Sequence, residues 1–176
     1  MLRRAWRAVS YAIRFRSRGI FVDTTSYVSR LAVIRNHGGG TVTIGRNCEI
    51  HDYAMIMTYG GDITIGDNCS LNPFAIVYGH GGVSIGNSVR IAAQTIIIPA
   101  NHNVAIEGQS LHQTGLTTEG ITIADNVWLG AGVRVLDGVR IATNAVVAAG
   151  AVVTRSVAAD TIVAGIPARP IRPDDA

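Results

Sequence analysis

A chain of 176 residues with 48% apolar side chains is one domain with room for a sizeable core, and 20 Gly against three Phe make that core aliphatic. Two cysteines, Cys48 and Cys69, are too few for a disulfide scaffold, and no run reaches the roughly 20 apolar residues of a membrane span. The net charge of +3 is concentrated in residues 1–20, which hold Arg3, Arg4, Arg7, Arg14, Arg16 and Arg18 and no acid; the remainder is net negative, which excludes a nucleic-acid-binding body.

In chain order, the first predicted element is a helix over residues 1–20. At 100° per residue Leu2, Trp6, Val9 and Ile13 share a narrow face, with Arg3, Arg4, Arg7, Arg14 and Arg18 opposite. Such a basic helix with Trp on its apolar side suits the surface of a membrane's inner leaflet. It equally suits a cap packed on the end of the body that follows. That body is expected over residues 21–172, with a short tail at 173–176. The N-terminus lacks the uninterrupted apolar region of a secretory signal, so a cytoplasmic location is expected.

The body repeats itself. The phrases "VTIGRNCEI", "ITIGDNCSL", "VSIGNSVRI" and "ITIADNVWL" recur, and from each leading aliphatic another follows six residues on. The series are Ile44, Ile50, Ile56; Ile65, Leu71, Val77; Ile85, Ile91, Ile97; and Ile123, Leu129, Val135, Ile141, Val147, Val153. Four residues after each aliphatic the side chain is small or modest, as at Cys48, Ala54, Cys69 and Ala75. A period of six is neither helical nor simply alternating. It fits a short strand plus a corner, three to a triangular turn, stacked as a β-helix at about the 4.8 Å spacing of neighbouring strands. Gly, Asn and Asp in "IGRN", "IGDN", "IGNS" and "IADN" suit corners that need positive φ. Cys48 and Cys69 then stack as small buried thiols.

After Ile97 the rhythm breaks. The next ladder residue is Ile123, 26 positions on where six would keep step. An insertion over about 98–120, starting "PANHN", carries His102, Glu107 and His112. Loops of that length in a compact domain are usually functional or disordered.

The phrases "YGHGGVSIGNSVRIA", "IIIPANH", "GITIADNVWLGAGVRVLDGVRIATNAVVAAGAVVTRSV" and "IVAGIPARPIR" occur in order. Through them residues 40–172 resemble the hexapeptide-repeat acyltransferases, and within these the polysaccharide and sugar O-acetyltransferases related to maltose and galactoside acetyltransferases. The resemblance implies an all-β, left-handed parallel β-helix, a homotrimer, acetyl-CoA as co-substrate without a metal, and a sugar or lipid-linked glycan-precursor acceptor. The N-terminal acceptor-binding segment of the maltose and galactoside enzymes has no recognisable equivalent here.

His102 matches the family's catalytic histidine. A sugar hydroxyl is too weakly acidic to attack a thioester unaided near pH 7; a histidine as general base is typically worth ~10²–10⁴-fold. His80 falls at the same corner one coil away and either contacts the acceptor, positions His102 or is an exposed turn residue. Asn72 and Tyr78 are candidate acceptor contacts, with corner packing as the alternative for Tyr78. Glu107 either orients His102 or is a solvated loop acid. The resemblance places Ala131, Ala149, Thr154, Arg155, Arg169 and Arg172 at CoA-contacting positions. Gly130 and Ala148 join them as small residues that leave backbone groups open to pantetheine, and Trp128 lines the thioester end or packs between subunits. Arg binds phosphate bidentately where relatives often have Lys. The alternatives are an amino-sugar N-acetyltransferase, a zinc hydratase on the same fold, for which His80, His102 and His112 lack a convincing spacing, and a non-catalytic scaffold.

Overall fold

The computed structural model describes residues 19–104 and 107–171. The helix expected over residues 1–20 lies outside these but for its last two positions. There Gly19 turns with φ +67° and Ile20 opens the first strand.

Three parallel sheets wall a triangular prism. The first sheet stacks Ile20–Val22, Val42–Ile44, Ile63–Ile65, Val83–Ile85, Ile121–Ile123 and Arg140–Ile141. The second stacks Tyr27–Val28, Glu49–Ile50, Ser70–Leu71, Arg90–Ile91, Trp128–Leu129, Val146–Val147 and Ile162–Ala164, with Arg169–Pro170 added antiparallel at its end. The third stacks Val33–Arg35, Met55–Met57, Ile76–Tyr78, Ile96–Ile97, Arg134–Val135 and Val152–Val153. This is the left-handed β-helix expected above.

The period of six is now a local structure. Ile44 points inward; Gly45, Arg46 and Asn47 make the corner, with Asn47 at φ +54°; Cys48 points inward, Glu49 outward and Ile50 inward again. The inward residues align in register as Ile44, Ile65, Ile85, Ile123 and Ile141, and likewise on the other two sheets. All are essentially inaccessible. Each fully buried Ile contributes about 1.5–3 kcal/mol. The residues four past the ladder, Cys48 and Cys69 included, are buried as expected.

Two coils differ from the repeat as read from sequence. A coil precedes the first quoted phrase, its Val22 and Ile34 paired with Ile44 and Ile56. It keeps the six-residue spacing through Val28, but its corner reads Asp23-Thr24-Thr25 instead of Gly-x-Asn. At the other end the last coil is short: Val157 already bridges Ile141, and Val163 pairs with Val147. Arg169–Pro170 then covers the edge left by Ile162–Ala164, which removes an open template for strand addition.

The outward faces differ in chemistry. The first sheet presents an in-register row of exposed hydroxyls, Thr43, Thr64, Ser84 and Thr122. The third presents half-buried apolar side chains, among them Met55, Met57, Ile76, Ile96, Ile98 and Val152.

Candidate active site

The insertion leaves the corner between the third and first sheets. One coil below, Gly79–Gly82 turn that corner, and His80 stacks on Tyr59 of the coil beneath, ring centroids 4.6 Å apart and 14° from parallel. Tyr78 meets Tyr59 edge-on at 5.0 Å, and His37 does so at 5.3 Å. His80 Nδ1 is buried without a hydrogen-bond partner. Burial holds its pKa below the ordinary histidine value, so the ring is neutral at pH 7.

The insertion is an arm with a built root. Asn101–His102 pairs antiparallel with Leu116–Thr117, placing His102 opposite Leu116. Asn103 Nδ2 donates to Thr114 O at 2.7 Å and Thr114 Oγ1 donates to Asn103 O at 2.8 Å, locking the two strands together. At the return, the Asp137 carboxylate accepts the N–H groups of Glu119 and Gly120 at 2.9 Å. Gly81 supports both ends: its N–H donates to Pro99 O at 3.2 Å, and a Cβ there would lie 2.8 Å from Gly120 N and 3.0 Å from Pro99 O. The arm bearing His102 therefore stands directly on the turn that bears His80.

His102 is exposed on this arm, and so is Glu107; no hydrogen bond or ion pair joins the two. Asn72 lies at a different corner, between the second and third sheets, where its Nδ2 donates to Ile91 O at 3.0 Å. The structure thus gathers His80, Tyr78 and the His102 arm at one corner and leaves Asn72 one sheet away. Tyr59 and Asp137, which hold His80 and the arm, had no sequence signal beyond their place in corner segments. A groove of about 390 Å³ beside the arm's root on the first sheet is lined by Asp62, Thr64, Ser84, Glu119, Thr122 and Arg140 among others.

The CoA candidates flank the third sheet. Gly130, Ala131, Ala148 and Ala149 lie at its corner with the second sheet, Ala131 and Ala149 exposed. Gly150 beside them has φ +72° and open space where a Cβ would be, so the ridge is bare enough for an extended chain to approach the backbone. Thr154 and Arg155 are exposed at the opposite corner, on the coils above His80. Arg155 and Arg169 line a cavity of about 390 Å³ at the C-terminal end. Trp128 stands outward on the second sheet, 55% exposed, between Arg90 and Val146. Arg172 lies outside the described residues. Small residues on the ridge and cationic residues at the end fit the pantetheine and phosphate parts of CoA. Among the described residues no three His, Cys, Asp or Glu converge as metal ligands, and no helix is long and apolar enough to cross a membrane.

Residues 120–155 match the family "bacterial transferase hexapeptide (six repeats)". That segment carries the hexapeptide-repeat transferase signature. The matched segment begins where the arm returns and runs through the ridge of small residues to Arg155. The galactoside O-acetyltransferase of Escherichia coli is 34% identical over 51% of this chain and 43% of its own length. The Escherichia coli protein WbbJ, named for O-acetyl transfer in lipopolysaccharide biosynthesis, is 29% identical over 77% of this chain and 62% of its own. The chain thus spans roughly two to three fifths of the length of these curated relatives. The crystal structure of a Vibrio cholerae hexapeptide-repeat acetyltransferase complexed with acetyl-CoA aligns over 94% of this chain and 76% of that one, with a TM-score of 0.60 and 28% identity. The N-acyltransferase AntD of Bacillus cereus, 21% identical, shares the fold with a TM-score of 0.77 over 93% of this chain and 88% of its own.

Proposed function

We propose that this hexapeptide-repeat protein is an acetyl-CoA-dependent O-acetyltransferase acting on a hydroxyl of a sugar or glycan precursor. The observation that carries the proposal is the His102 arm, the long insertion in the repeat, anchored at both ends on the His80 turn. Acetyl-CoA supplies the acetyl group. His102 takes the acceptor hydroxyl's proton as the acceptor oxygen bonds to the acetyl carbonyl carbon; the carbon–sulfur bond breaks and the proton passes to the departing thiolate. Neutral His80, held by Tyr59 and Tyr78, offers its imidazole to an acceptor hydroxyl or keeps the arm in place. Glu107 orients His102 once the arm meets its partner surface. Ala131, Ala149 and Thr154 contact the pantetheine; Arg155, Arg169 and Arg172 hold the phosphates.

Most of the CoA candidates lie at the two edges of the third sheet, whose outward face is largely apolar. That face is the natural interface of a homotrimer, in which one copy's ridge meets the next copy's arm. Residues 1–20 bring the trimer to an anionic bilayer surface. Deleting them abolishes flotation with anionic vesicles, and unchanged flotation removes that part of the proposal.

The deciding experiment is thiol release from acetyl-CoA with a panel of sugars and cell-envelope glycans, wild type beside His102→Ala. Acceptor-dependent release lost in the variant supports the proposal. Release only with amino sugars replaces O-transfer by N-transfer, and failure to bind acetyl-CoA leaves a non-catalytic β-helix.

A further inference from the structure

The corner between the second and third sheets places one residue in each of five successive coils in the left-handed region: Tyr53 at φ +61°, Phe74 at +63°, Gln94 at +61°, Gly132 at +69° and Gly150 at +72°. The corner between the first and second sheets fills the equivalent position with Asn47, Asn68, Ser88, Asn126, Asn144 and Asp160. Short polar side chains suit that conformation; bulky ones are strained in it. Tyr53 and Phe74 do not offset the strain by burial, being 48% and 52% exposed. Their rings lie parallel, 5.0 Å between centroids and 11° apart.

In register above Phe74 come Gln94, an exposed amide on a flexible stem, and then the bare positions Gly132 and Gly150. This is the ridge that carries Ala131 and Ala149. Under the proposed function, Arg155 and Arg169 hold the phosphates of CoA at the C-terminal end and the thioester end lies along the ridge of a neighbouring copy. Gln94 belongs to the coil from which the His102 arm departs, and Phe74 to the coil below it.

We infer that Tyr53 and Phe74 form a saccharide-binding platform for the acceptor. A pyranose ring lays its C–H face on Phe74, where weakly positive C–H groups meet the negative ring face, and its hydroxyls meet the Gln94 amide. The identity of the ligand rests on the transferase proposal; the exposed, strained stack does not.

The test is ligand-observed NMR with methyl galactopyranoside and delipidated lipopolysaccharide core oligosaccharide, on the full chain. Wild type and Phe74→Tyr bind one of these; Phe74→Asn, which suits the left-handed corner, binds at least tenfold more weakly with an unchanged or higher Tm. The inference is overturned if wild type ignores both saccharides, if Phe74→Asn binds as tightly, or if its loss of binding comes with a fall in Tm. Acetyl-CoA titrated on the same samples reads the transferase proposal separately. Saccharide bound with acetyl-CoA ignored overturns that proposal and leaves the platform standing.

Discussion

Two corners of the same prism solve the same geometric problem differently. Between the first and second sheets every turn is short, and all its left-handed residues but Ser88 belong to side-chain ladders: Asn47 Nδ2 to Asn68 Oδ1 at 3.4 Å, Asn126 Nδ2 to Asn144 Oδ1 at 2.9 Å, Asn144 Nδ2 to Asp160 Oδ1 at 2.7 Å. Between the third and first sheets no two turns are alike. Tyr59 takes the positive φ, His80 leaves a buried nitrogen unpaired, and the next coil extends into the arm. The first corner is optimised for stacking. The third tolerates an unpaired polar atom and a long excursion, which the surrounding ladders are stable enough to support.

Substitutions at the two corners should therefore separate activity from stability. The largest effect is on the arm: His102→Ala lowers kcat for acetyl transfer by ~10²–10⁴-fold. Because the side chain is exposed, its Tm stays within a degree of wild type by calorimetry. A matching fall in Tm would place His102 in the fold and not in the chemistry.

Next comes the steric limit of the third corner. A Cβ on Gly61 overlaps the carbonyl oxygen of Gly79 and lies 2.6 Å from that of His80. Gly61→Ala should cost about 1–3 kcal/mol in denaturant unfolding, since neighbouring coils must part. An unchanged midpoint would show that this corner is looser than its packing.

At the first corner, Asn144→Ala loses both ladder hydrogen bonds and leaves a Cβ-bearing residue at φ +61°. The expected cost is about 1–2 kcal/mol. That lowers Tm by roughly 2–4 °C per kcal/mol in a domain of this size, with acetyl transfer intact. Lost activity at full stability would erase the distinction between the corners.

The smallest effect is a pH dependence. His80 has a folded-state pKa below its unfolded one, so the unfolded chain binds more protons between the two values. Stability from this residue is present above the unfolded pKa of about 6.5 and declines as pH falls towards the folded value. Tm measured from pH 7.5 to 5 should drop less in His80→Phe, which keeps the stack on Tyr59 and cannot titrate. Parallel curves for the two proteins would count against a desolvated His80.

Much of this is legible in the sequence. The aliphatics at sixes named the inward ladder, the residues four past them named its second row, and the jump from Ile97 to Ile123 located the arm and its histidine. The first coil was less legible because Asp23-Thr24-Thr25 turns a corner without the Gly-x-Asn wording, although Val22, Val28 and Ile34 keep the spacing. The placement of Asn72 was not legible: it shares a coil with His80 but turns a different corner. Nor were the partners of His80 and of the arm, since Tyr59 lies 21 positions before His80 and Asp137 lies 17 after Gly120. The hydroxyl face, the apolar face and the Tyr53–Phe74 stack likewise emerged only from the coil register.

The sequence by itself determined the coil, its inward residues and the point of interruption, because a six-residue period is a local property that each strand and corner states for itself. Only the tertiary structure decided which side chains stack across coils, because that depends on the lengths of all the intervening turns. Coils here advance by 22, 21, 20, 38, 18 and 16 residues, and each change shifts which residues become neighbours along the axis.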